Sequence, residues 1–101
     1  MVQAIENWAS VTGAVRDVVP SDRGPDWRIL LLDVDPAEVD DVDGWPNLVR
    51  GQVDEDHHLA VIVRAAQLDE SIVAPGQNVR CRARLAAPGQ VVAHPDGLGP
   101  A

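Results

Sequence analysis

Lysine, phenylalanine and tyrosine are missing from this 101-residue chain, which holds one cysteine, one methionine and three tryptophans. A single cysteine excludes an internal disulfide framework. Without Phe or Tyr the core must be filled by Val, Leu, Ile and Ala, with Trp the only large ring on offer. No apolar run approaches the roughly 18 to 20 residues that cross a bilayer as a helix. The opening MVQAIENWAS also lacks the basic start and continuous apolar stretch of a secretion signal. A cytoplasmic protein with no membrane partner is expected. Neither G-x-S-x-G nor G-x-x-x-x-G-K occurs, and Cys81 falls at an inward strand position rather than in a nucleophile's setting. The expectation is a protein that is not an enzyme and uses no cofactor.

What is present suits one domain with a modest core, at 46% hydrophobic and 24% charged residues. Eight arginines stand against sixteen acids, for a formal charge of −8. A field of that sign repels phosphate, which weighs against a strong unspecific DNA binder. Nine of the acids lie between Asp33 and Asp56, together with two Gly, two Pro and little periodicity. This segment reads as a long, partly ordered connection, with one helical turn over Ala37 to Val42 after Pro36.

Strand patterns flank it. Val11, Val15 and Val19 share one phase of a first strand over Ala9 to Val19, and Gly13 in that phase marks a bulge or tight bend. Pro20 and the turn Ser21 to Asp26 end it. A second strand, Trp27 to about Val34, is apolar on both faces at Ile29, Leu30, Leu31 and Leu32, as in a strand covered on both sides. A third, Leu59 to Ala66, is favoured by the β-branched triplet Val61, Ile62 and Val63, against an amphipathic helix over Asp54 to Val73. Gln67 to Ala74 reads as a short helix closed by Pro75-Gly76. Fourth and fifth strands follow at Asn78 to Ala86 and Val91 to His94, and residues 95–101 read as a disordered tail.

The order strand, strand, connection, strand, short helix, strand, strand predicts an all-β fold, a five-stranded OB-fold Greek-key barrel spanning residues 1–94. The segments VTGAVRDV and LAVIVRAAQLDESIVAPGQNVRCRARL resemble bacterial single-stranded-DNA-binding proteins. That resemblance implies a Gly-containing first strand, a third strand running into a short helix, and a turn leading to a strand with Val79, Cys81 and Leu85 inward. The chain departs from the family where Ala83-Arg84 replaces a usual Gly and where the open-face aromatics are few.

The best candidate surface is the fourth strand. Alternation puts Arg80, Arg82 and Arg84 on one face along about 13 Å. Arg64 and Arg28 extend the row, with Trp27 or Trp45 as a stacking ring. The competing expectation pairs each arginine with an acid on a neighbouring strand. Asp54 to His58 (DEDHH) is the one cluster with metal-like chemistry, but it lacks a separated His or Cys pair and reads as a solvated turn with no metal.

Two functions therefore stand open. One is a small binding module for single-stranded DNA or RNA through Arg28, Arg64, Arg80, Arg82, Arg84, Trp27 and Trp45. The other is an acidic protein-interaction module whose segment Asp33 to Asp56 meets a protein partner and binds no nucleic acid. An exposed edge strand could also support a homodimer.

Overall fold

The computed structural model describes residues 6–68 and 74–101. Period-two alternation dominates its long strands. In Asn78–Ala87 (β5), Val79, Cys81 and Ala83 are buried while Arg80 and Arg82 are exposed. Five such strands close a mixed β-barrel of OB-like form: Ala9–Pro20 (β1), Trp27–Asp33 (β2), His58–Arg64 (β4), β5, and Gln90–Ala93 (β6). Going round the barrel the order is β1, β2, β4, β6, β5 and back to β1, with every pairing antiparallel except β4 with β6. Val39–Asp41 (β3) adds to β1 at one edge, and Gly99–Pro100 (β7) adds to β5 at the other.

The core is aliphatic, as the composition requires, with Leu30, Leu32, Val11, Val61, Val63, Val79 and Cys81 fully enclosed. None of the three Trp belongs to the buried set. Gly13 is needed for closeness, because a Cβ there would lie 2.6 Å from the Asp33 carbonyl oxygen and 2.7 Å from Val34 Cγ2. The bulge expected at Gly13 instead falls between Val15 and Asp17, where the β1 register against β2 shifts. A buried polar side chain that the pattern did not flag, Asn7, does the work of a strand neighbour. It donates to the Leu85 carbonyl at 3.0 Å and accepts the Leu85 N–H at 2.8 Å.

The connection is more ordered than its composition implied. Asp35 caps a 3-10 turn at Pro36–Glu38 by accepting the Ala37 N–H, and β3 follows at once, so the expected helical turn stops at Val39. Val34, Val39 and Val49 are buried anchors for this segment. Residues 95–101, read as a disordered tail, run through a turn into β7, which pairs with Val79 and Arg80. The short helix expected over Gln67 to Ala74 falls mostly on residues 69–73, outside the described residues, and a 3-10 turn at Ala65–Gln67 ends where it was to start. Among the described residues no helix is long and apolar enough to cross a membrane.

One expectation fails in an informative way. The two-sided apolar character of β2 does not come from cover on both sides. Leu30 and Leu32 face the core, whereas Ile29 and Leu31 are half-buried on the outer face. Strand pairing continues that outer row from Ile29 to Ile62 on β4, then to Val92 on β6 and Arg84 on β5.

Candidate nucleic-acid interface

At one end of this outer row the chain builds a cleft of about 290 Å³, lined by Trp8, Trp27, Arg64, Arg84, Val92 and His94 together with Ala93 and Pro95. Strand register brings its parts together. Trp27 opens β2 directly opposite Arg64 at the end of β4, and Val92 stands between Ile62 and Arg84. Both rings carry a cation. The Arg64 guanidinium lies 4.5 Å from the Trp27 ring centre, and Arg23 lies 5.2 Å from the same ring. Arg84 lies 5.9 Å from Trp8, whose edge meets His94 at 5.3 Å between centroids. Such contacts are worth about 0.5 to 1 kcal/mol each at exposed sites.

Gln67 ties the walls of the cleft to each other. Its Oε1 accepts the Arg64 backbone N–H at 2.9 Å, while its Nε2 donates to the carbonyls of His94 and Pro95 at 2.8 and 3.0 Å. His94 is held in turn by the Asp96 N–H, which donates to its Nδ1 at 3.1 Å.

The predicted arginines separate into three groups. Arg64 and Arg84 reach the cleft. Arg80 and Arg82 share the outer face of β5 with Arg84 but lie beside Thr12 and Ser10 of β1, and Arg80 Nε donates to Thr12 Oγ1 at 3.4 Å. Arg28 does not join them. It has the inward phase of Leu30, and its guanidinium folds back on the carbonyls of Pro25 and Trp27 at 2.7 and 2.8 Å. Trp45 is 41% exposed in the loop after β3 and does not line the cleft. Trp8 and His94, absent from the predicted set, line the cleft, and Arg23, also absent from it, lies against the Trp27 ring. The only advance signal for Trp8 was its place just before the first strand.

The competing expectation, an arginine row neutralised by acids, is not what forms. Among the described residues the ion pairs are Arg16 with Asp33, Arg50 with Asp41, and His58 with Asp33 if protonated. None engages Arg28, Arg64, Arg80, Arg82 or Arg84.

The acidic cluster sits at the other end of β2, where Asp33 is opposite His58. Asp54, Asp56 and His58 bring ligand-type atoms within 4.8 Å of one another. The turn itself accounts for the grouping, because Asp54 Oδ1 accepts the backbone N–H groups of both Asp56 and His58 at 2.9 Å. The bond from His58 is the main cause holding the Asp54 carboxyl below its ordinary value, against some desolvation. His57 takes a left-handed φ of 62° to complete the turn.

The chain matches no family model, and comparison with curated proteins and with solved structures finds no match either.

Proposed function

We propose that this OB-like barrel is a non-catalytic binding module for single-stranded DNA or RNA, with the cleft between Trp8 and Trp27 as its centre. One observation carries the reading: two partly exposed indoles, each beside a guanidinium, on a barrel face whose arginines have no carboxylate partner among the described residues. Bases stack on aromatic rings and on guanidinium planes, and arginines unoccupied by acids remain free for phosphate. The aliphatic row Ile29, Ile62 and Val92 gives an apolar floor beside them.

Net charge opposes phosphate at long range but less so at the cleft. Trp27 and Asp33 are the two ends of β2, about 20 Å apart at 3.3 Å per residue. That is about two and a half Debye lengths at physiological ionic strength, so the acids of the turn before β4, at the Asp33 end, are largely screened from Trp27. Asp22, Asp26 and Asp96 are nearer, as are Asp40 and Asp41 of β3, which pair with Ser10 and Ala9 just after Trp8, and none forms an ion pair with Arg64 or Arg84.

The test is fluorescence anisotropy of a labelled oligo-dT in low salt. Binding should weaken as salt rises, and Trp27→Ala should weaken it by about 1 to 3 kcal/mol, the worth of one stacked base. Absence of binding at tens of micromolar protein would end the proposal. A second reading, a protein partner for the acidic segment, is favoured by a different observation. Of the acids between residues 33 and 56, only Asp33 and Asp41 are in ion pairs among the described residues. Titration with a short polylysine peptide tests it.

A further inference from the structure

The side-chain hydrogen-bonding groups that the cleft leaves open are donors. The indole N–H groups of Trp8 and Trp27 and the guanidiniums of Arg64 and Arg84 can only donate. Neither indole N–H finds an acceptor among the described residues. His94 would ordinarily offer one donor and one acceptor, but its Nδ1 already accepts the Asp96 N–H. The neutral ring must therefore carry its proton on Nε2, and a donor is what it has left. Two backbone acceptors at this wall already take hydrogen bonds. The His94 carbonyl takes Gln67 Nε2 at 2.8 Å and the Gly97 N–H at 3.0 Å, and the Pro95 carbonyl takes Gln67 Nε2 at 3.0 Å.

A base edge placed against donors alone is stabilised where it presents a carbonyl and penalised where it presents an amino group. In the latter case both donors stay unpaired in a partly enclosed site. At about 290 Å³ the cleft is at the lower limit of small-molecule pockets, which suits one base rather than a stack of several. Thymine and guanine expose O4 and O6 acceptors, where cytosine and adenine expose N4 and N6 amino donors.

We propose that the cleft is a one-base subsite selective for keto bases, thymine or uracil and guanine, over the amino bases cytosine and adenine. This rests on the nucleic-acid reading above and goes beyond it, since stacking and phosphate contacts alone would treat all bases nearly alike. The donor set makes the difference, and His94 Nε2–H is its directional member.

Two matched base pairs test it without the confounding effects of strand stiffness. Each is placed at the centre of an otherwise identical oligonucleotide built on an abasic-spacer backbone. Thymine is compared with 5-methylcytosine, which keeps the methyl and exchanges O4 for an amino group, and hypoxanthine is compared with adenine. Anisotropy titrations should show the keto member of each pair binding about tenfold more tightly, within the range a base-edge contact supplies. His94→Phe, which keeps a ring against Trp8, should narrow that ratio, while Arg80→Ala, on the same barrel face outside the cleft, should leave the ratio unchanged. Should His94→Phe fail to fold, the wild-type ratios decide alone. Equal affinities within both pairs, or a preference for the amino members, would overturn the keto subsite and leave the broader reading standing. No measurable binding of any of the four, nor of oligo-dT, would overturn both.

Discussion

Cys81 illustrates what enclosure does to a single side chain. It lies on the inner face of β5, and burial pushes its thiol up from 9.0 to about 12. The folded thiol should resist iodoacetamide at pH 8 and become reactive only on unfolding, which mass spectrometry of the alkylated chain checks. The sign of the linkage follows from the raised value. Below pH 9 the thiol is protonated in both states and costs nothing. Between about pH 9 and 12 only the unfolded chain releases the proton, so stability should fall through that window in denaturant titrations. Gly13 is constrained by space instead. Gly13→Ala would drive a methyl into the Asp33 carbonyl and Val34, and a loss of about 1 to 3 kcal/mol in chemical denaturation is expected. The glycine was legible as special from its place in the strand phase. The reason was not, because close approach depends on a segment twenty residues away.

At the scale of elements, the five barrel strands could be read because their alternation is set locally, one residue in and one residue out. β2 shows where that logic ends. An apolar residue at every position is the same signal whether the second face lies under another layer or stays half-buried on the outside, so Ile29 and Leu31 could not be assigned from sequence. The arginines of β5 were placed correctly by phase. Arg28 was not, because its inward phase at a barrel end turns the guanidinium back onto its own turn. The acidic connection hid its order in three spaced valines whose common partner, the core, is not visible in a linear pattern. Gln67 is the test of how elements shape the site. It links the end of β4 to the turn after β6, so Gln67→Ala should cost about 1 kcal/mol of stability and weaken oligonucleotide binding without any change of charge. Urea denaturation and anisotropy on the same variant separate the two effects.

Across the whole molecule the acidic turn before β4 and the Trp–Arg cleft stand at opposite ends of β2, at Asp33 and Trp27. Screening then predicts unequal effects for equal charge changes. Asp26→Asn, beside Trp27, should tighten oligonucleotide binding by about twofold or more at 150 mM salt, while Glu55→Gln, in the turn at the Asp33 end, should leave it nearly unchanged. The barrel itself is closed unevenly. β1 with β2 and β2 with β4 share long registers, whereas β4 meets β6 only at Val61 with Val91 and Ile62 with Val92. A hoop with so short a clasp unfastens there first, and the amides that donate across the β4–β6 seam should exchange with deuterium ahead of those in β2. Since Val92 also lines the cleft, an occupant lying across it acts as a bolt on that clasp, slowing exchange at a seam whose backbone it need not touch.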